Sequence, residues 1–246
     1  MIYIEKIRNR HIYQEGEDYP YNISSLKKLK ELSFRKAVTF IIGENGSGKS
    51  TLIEAIAINA GFNPEGGGRN FSFKTNETHS SLFEDLLLIR SPYRNKDGYF
   101  LRAESVYNLA SNLEEMNRES GGAFAPYGNK SLHNQSHGES FLNIFINRLY
   151  GTGLYVLDEP EAALSLQSMF TFLIRMKQLV DLKSQFIIAT HSPILLAYPD
   201  ADIYTVTENG LQLTAYEETE QYKQTKYFLN NHTKMIKELF NDQTLP

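Results

Sequence analysis

The sequence predicts a three-layer α/β fold built on a mostly parallel central sheet, with an N-terminal antiparallel layer and a helical lobe. Three observations predict it. Val38–Ile42 is an apolar strand that runs into a glycine loop, then into Leu52, Ile53, Ile56, Ala57 and Ala60 at helical spacing. Leu154–Leu157 is a second strand of buried type, ending in Asp158-Glu159-Pro160. Phe186–Ala189 is a third, ending in Thr190-His191-Ser192. Short apolar strands alternating with helical patterns are the signature of a parallel sheet with crossover helices.

The chain has 246 residues, 41% hydrophobic and 22% charged, which suits one domain over 1–246 with a helical or loop lobe within about 61–150. No apolar run approaches the roughly 18 residues of a membrane span, so no transmembrane segment is expected. The start, Met1-Ile2-Tyr3-Ile4-Glu5-Lys6, alternates and carries charge early, so it reads as a strand and not as a signal peptide. There is no cysteine, which excludes disulfides and thiolate metal sites; a cytoplasmic location is expected. A formal net charge of −4 argues against a general nucleic-acid coating role. The lysine cluster in Ser25–Lys30 reads as a solvated face or turn.

In chain order, residues Met1–Ile7 read as an edge strand, followed by a polar, tyrosine-rich stretch with a short strand near Leu32–Phe34. Tyr13, Tyr19, Tyr21 or Phe34 could stack on an adenine ring. Gly61–Lys74, with glycines at 66–68, reads as a loop, and Thr78–Arg90 as strand or short helix. Tyr99–Ala103 reads as a strand that delivers Glu104 to its end. Val106, Leu109, Leu113 and Met116 mark a helix over Val106–Glu119. Gly121–Gly138 reads as a loop and Phe141–Tyr150 as a helix. After the acidic strand, Leu166, Met169, Phe170, Leu173 and Met176 form the stripe of a long helix ending near Val180. Ile203–Thr207 and Leu211–Tyr216 flank Glu208-Asn209-Gly210, a hairpin signal. A final helix is expected around Thr233–Phe240.

The glycine loop, Gly43-Glu44-Asn45-Gly46-Ser47-Gly48-Lys49-Ser50-Thr51, fits G-x-x-x-x-G-K-[ST], the phosphate-binding loop. Its glycines let backbone N–H groups turn toward phosphate oxygens, and the following helix points its positive end at the same anion. Lys49 can reach the β- and γ-phosphates, and Ser50 can bind Mg²⁺. A strand ending in two carboxylates supplies the other half of such a site. Asp158 is placed to hold the metal, and Glu159 to polarise an attacking water as catalytic base. His191, at the end of the next strand, could hydrogen-bond the γ-phosphate or that water.

With these residues in place, the chain resembles ABC-type ATPases of the P-loop superfamily over most of its length. The resemblance implies a Walker A loop at Gly43–Ser50, a Walker B strand at Leu154–Glu159, a D-loop region at Pro160–Ser165 and a switch histidine at His191. It implies a signature loop at Ser136-His137-Gly138-Glu139-Ser140, in which Ser136 and Gly138, with Glu139 in the usual glutamine position, contact the nucleotide of a partner subunit. Two features depart from the family pattern: Gln135 and His137 replace a leucine and a glycine, and Glu104 stands where a metal-contacting glutamine belongs. Both fit transporter subunits less well than small stand-alone bacterial ATPases related to DNA-repair and chromosome-maintenance heads. The implied function is Mg²⁺-dependent ATP hydrolysis in an ATP-dependent homodimer that switches an unidentified protein partner. The alternatives are a transporter ATP-binding subunit and a non-hydrolysing nucleotide-binding adaptor. A DNA-related role has no basic, aromatic-interleaved segment to support it.

Overall fold

A computed structural model describes residues 1–14, 16–68, 80–103, 106–129 and 131–241. The expected three-layer α/β fold is present. Among the described residues the principal strands and helices run β1 (Ile4–Asn9), α1 (Ser24–Lys28), β2 (Glu31–Ser33), β3 (Val38–Ile42), α2 (Lys49–Ala60), β4 (Gly67–Gly68), α3 (Leu82–Asp85), β5 (Leu86–Arg90), β6 (Asp97–Arg102), α4 (Val106–Ser120), α5 (His137–Asn143), β7 (Gly153–Asp158), α6 (Leu166–Asp181), β8 (Gln185–Ala189), α7 (Pro193–Leu196), β9 (Ala201–Thr207), β10 (Gly210–Leu213) and α8 (Glu220–Asn241). Among the described residues the main sheet has seven strands, in the order β10-β9-β3-β8-β7-β6-β4. Strands β9, β3, β8, β7 and β6 are parallel; β10 and β4 close the edges antiparallel. A separate antiparallel sheet, β2-β1-β5, supplies the N-terminal layer.

The central strands are buried on both faces, and successive residues serve different cores. Phe40, Ile42, Tyr155, Leu157 and Ile188 face α4, α5 and α6, where Phe141, Phe145, Phe172 and Met176 complete one cluster. Ile41, Leu154, Val156 and Ile187 face the other way, against Leu52, Ile53 and Ile56 of α2 and against Ile4, Ile7 and Leu86 of the small sheet. Gln185 ties the two sheets together. Its Oε1 accepts from the N–H groups of Tyr3 (2.7 Å) and Ile4 (2.9 Å), and its Nε2 donates to the Ile4 carbonyl (2.9 Å).

Several elements differ from expectation. The N-terminal strand is the middle of the small sheet and not an edge, because β5, some eighty residues on, pairs with its far side. Thr78–Arg90 contains both a helical turn and a strand, α3 and β5. The Gly121–Gly138 stretch holds two 3₁₀ turns, Ala125–Tyr127 and Leu132–Asn134. The helix placed at Phe141–Tyr150 starts earlier, at His137, because Ser136 caps it, and it ends in a π turn over Ile144–Arg148. In α6 the buried face is Phe172, Met176 and Leu179; Leu166 is 56% exposed and Phe170 is also exposed. In the hairpin, Gly210 pairs with Thr207, so the turn residues are Glu208 and Asn209. The last helix begins at Glu220, where the Thr219 hydroxyl accepts from the Tyr222 N–H, and it kinks at Asn231. Of the loop read at Gly61–Lys74, Gly67 and Gly68 form β4, and the part from residue 69 lies outside the described residues. No helix among the described residues is long and apolar enough to cross a membrane.

Candidate nucleotide site

The order β3-β8-β7 places β8 between the strand that leads to Lys49 and the strand that ends in Asp158. All three strands are parallel, so Gly43, Asp158-Glu159 and Thr190-His191 emerge at one edge of the sheet. Ligands of open α/β sheets gather at that edge.

The loop after β3 turns into α2 through Gly48, whose φ of +94° is a left-handed conformation and whose missing Cβ would press on Ile23 and Leu26. Lys49 is 4% exposed and folds back over the loop, donating to the carbonyls of Gly43 (2.9 Å) and Glu44 (2.8 Å). Burial pulls its ammonium pKa below the ordinary lysine value, with Glu159, Asp158 and Glu161 pulling the other way. The Ser47 hydroxyl is buried without a hydrogen-bond partner. A cradle with an ammonium and an unpaired hydroxyl suits a phosphate.

Asp158 is 5% exposed. Its Oδ1 accepts from the Ser50 hydroxyl at 3.2 Å. A hydroxyl and a carboxylate oxygen are the hard ligands that Mg²⁺ takes in such sites, and the pair fits that ion. Glu159 adopts φ +49°, ψ +53°, a strained left-handed conformation for a non-glycine residue. Its Oε1 lies 3.6 Å from His191 Nε2, close enough for the two to share one water oxygen. His191 Nε2 is buried and makes no hydrogen bond, while the His191 backbone N–H donates to Glu161.

A cavity of about 1170 Å³ opens beside the loop. It is lined by Gly43–Ser47 and His191, and also by residues the motifs did not indicate: Asn22–Ser25, Thr205–Glu208 and the start of α8 at Glu220, Gln221, Gln224 and Thr225. Ser136, Gly138 and Glu139 do not line it. They start α5, where Ser136 and Glu139 form a closed capping box. The Ser136 N–H (2.9 Å) and hydroxyl (2.8 Å) both donate to Glu139 Oε2, and these bonds hold the Glu139 carboxyl below the usual range. Gly138 presses on the turn that follows Glu159; a Cβ there would lie 2.5 Å from the Ala163 carbonyl oxygen. Glu104 lies outside the described residues.

Of the aromatic candidates for a base, Phe34 is core at 2% exposure, which removes it. Tyr13 and Tyr21 are occupied with Leu26 and Asp85, and Tyr21 stacks on His11. Tyr19 is 59% exposed, and its hydroxyl lies 3.0 Å from Thr51 Oγ1, at the start of α2. Arg102 and Glu54 were missed. Arg102 pairs in register with Asp158 across β6 and β7, and Glu54 is four residues after Ser50 on α2. The available signals were a charged residue closing an apolar strand and an acid one helical turn below the loop.

A model of a known family, described as an AAA domain, matches residues 21–144, half of the chain, and includes the glycine loop. No protein of curated function matches significantly. Among solved structures, the chain is similar to cbiO1 from Clostridium perfringens, part of the ABC transporter complex cbiONQ (19% identity over 98% of this chain and 100% of that one, TM-score 0.49). It is similar to a dimeric ATP-binding cassette in a post-hydrolysis state with ADP and phosphate (16%, 86% and 98%, 0.49). It is also similar to the SMC head domain from Thermotoga maritima (16%, 87% and 98%, 0.44).

Proposed function

The chain belongs to the AAA domain family of ATPases, and from that premise we propose that it is a Mg²⁺-dependent ABC-type ATPase that closes as a head-to-tail dimer and switches a protein partner. On this reading residues 1–246 are one ATPase domain whose helical lobe falls within about 61–150. The observation that carries it is the meeting of Lys49, the Ser50–Asp158 pair and the Glu159–His191 pair at one sheet edge.

The geometry supports the following roles. The N–H groups of Gly43–Thr51 and the start of α2 bind the phosphates. Lys49 exchanges its two loop carbonyls for phosphate oxygens. Ser50 and Asp158 would hold Mg²⁺, which when bound neutralises charge on the β- and γ-phosphates. Glu159 takes a proton from the attacking water, and His191 Nε2 orients that water or the γ-phosphate. Tyr19 offers a ring face to the base. Ser136, Gly138 and Glu139 serve the nucleotide of the partner subunit, consistent with their place outside the chain's own cavity. The closed capping box favours a second reading: with Glu139 holding both Ser136 donors, α5 would meet a phosphate with a carboxylate, as suits a non-hydrolysing adaptor.

Phosphate release measured against protein concentration, on wild type and Glu159→Gln, tests the choice, with mass determination plus and minus Mg-ATP. The expected result is turnover that rises faster than linearly, a loss of roughly 10²–10⁴-fold in the variant, and an ATP-bound dimer of that variant. Weak linear turnover and a monomer throughout would leave the adaptor. Unchanged turnover in Glu159→Gln would remove Glu159 as the base.

A further inference from the structure

Asp158 has two oxygens, and the structure gives them different surroundings. Oδ1 faces the Ser50 hydroxyl at 3.2 Å. Oδ2 faces Arg102, whose Nε is 3.6 Å away. The same guanidinium donates through Nη1 to Glu54 Oε2 at 2.8 Å, and Glu54 Oε1 accepts from the Ser80 N–H at 3.1 Å. Ser50 and Glu54 are four residues apart on one face of α2. Asp158, Arg102 and Glu54 therefore close a ring against that helix face, with all three side chains largely buried.

This arrangement is poor for a divalent cation on its own. Among the described residues no group of three His, Cys, Asp or Glu side chains converges on one point. Mg²⁺ prefers six oxygens in near-octahedral order and gives up water reluctantly. Among the described residues, the Ser50 hydroxyl and the Asp158 carboxylate are the oxygens paired here, with the Arg102 guanidinium against the second oxygen of that carboxylate. Lys49 adds a second positive charge that acts on Asp158. In a largely buried setting these charges are screened far less than at the surface. Nucleotide phosphates would bring both the missing oxygens and the missing negative charge.

We propose that Arg102 is a positioning residue that makes cation binding at Asp158 conditional on nucleotide, with Glu54 as the counter-charge that tempers it. This rests on the reading of Ser50 and Asp158 as the cation pair. Arg102 holds Asp158 in one orientation and cancels part of its charge, so that the cation arrives with the substrate and not before it. The roles of Arg102 and Glu54 have opposite sign. Without the guanidinium, Asp158 and Glu54 become two neighbouring carboxylates that attract a cation by themselves. Without the Glu54 charge, less of the Arg102 charge is offset and it opposes the cation more strongly.

The test is Mn²⁺ binding by equilibrium dialysis, with and without a non-hydrolysable ATP analogue, on wild type, Arg102→Gln, Arg102→Lys and Glu54→Gln. Bound metal is read as the excess on the protein side, and urea unfolding checks that each variant folds. Wild type is expected to bind Mn²⁺ only with the analogue. Arg102→Gln should bind it without nucleotide, a gain of about tenfold or more, because a nearby fixed charge is removed. Arg102→Lys keeps that charge and should behave as wild type. Glu54→Gln should lose roughly threefold to tenfold in affinity with the analogue present. No nucleotide-free binding by folded Arg102→Gln, or shifts of the same sign in Arg102→Gln and Glu54→Gln, would overturn the proposal. Wild type that fails to bind Mn²⁺ even with the analogue would instead overturn the assignment of Ser50 and Asp158.

Discussion

Gly138→Ala adds one methyl group where two backbones meet. The new Cβ would sit 2.5 Å from the Ala163 carbonyl oxygen, against an ordinary contact of about 3.4 Å or more. Roughly 0.9 Å must be absorbed, and neither side is a flexible side chain. One side is the first turn of α5 and the other the 3₁₀ turn Pro160–Ala163. Overpacking of this kind costs about 1–3 kcal/mol. In a chain of this size each kcal/mol lowers Tm by roughly 2–4 °C. Because Glu159 is the residue that leads into that 3₁₀ turn, the shift also disturbs the 3.6 Å Glu159–His191 pair, and turnover at saturating ATP should fall with stability. Urea unfolding with an unchanged slope gives the stability loss. Gly61→Ala is the control: its φ is +91° but no atom lies within 4 Å of the added Cβ, so only the left-handed strain of about 1 kcal/mol applies. A Gly138→Ala variant that unfolds with wild type, or costs less than Gly61→Ala, would refute the packing argument and leave Gly138 with only its proposed intermolecular role.

Two further outcomes follow from buried polar groups. Gln185→Leu leaves two buried N–H groups and one carbonyl at β1 without partners, and should cost about 3–5 kcal/mol in urea unfolding; a loss below about 1 kcal/mol would show that the two sheets do not depend on that side chain. His11 bridges Asp85 (2.8 Å) and Glu17 (2.9 Å). Burial lowers its pKa, but the bonds to Glu17 and Asp85 outweigh burial and raise the net value above that of an ordinary histidine. A folded pKa above the unfolded one gives stability that is complete below about pH 6.5 and is lost as pH rises through the raised value. The stability gap between wild type and His11→Gln should therefore be widest in mild acid and close with rising pH; a gap that does not change with pH would contradict the bridge.

The site was legible where its chemistry is local in sequence. Gly43–Thr51 and Asp158-Glu159 carry their meaning in consecutive residues, and the strands before them are apolar enough to read without a partner. Arg102 was not legible, because its role depends on the register that sets it opposite Asp158, more than fifty residues later. The stripe read on α6 was right in part: Met169, Leu173 and Met176 pack on the core, while Leu166 and Phe170 are exposed. Leu166, Phe170 and Ile174 make one stripe at helical spacing, and Phe172, Met176 and Leu179 make another. Periodicity detects a stripe but does not say which one meets the sheet. The start of α8 was marked only by a capping threonine in a polar tail, where apolar spacing is weak.

The seven-stranded sheet acts as a shared wall between two interiors. Phe40 belongs to one and Ile41 to the other, and the same alternation holds along β7. Helix α2, which carries Lys49, is anchored in the interior that faces the small sheet, whereas α5 and α6 are anchored in the opposite one. Partial opening can therefore run along one side at a time, each side with its own free energy, while strand amides between them exchange only when both give way. Hydrogen exchange would resolve three classes of protection, one for each side and a slower one for β3, β8 and β7. Helix α2 on one side and helices α5 and α6 on the other thus meet through the strands between them.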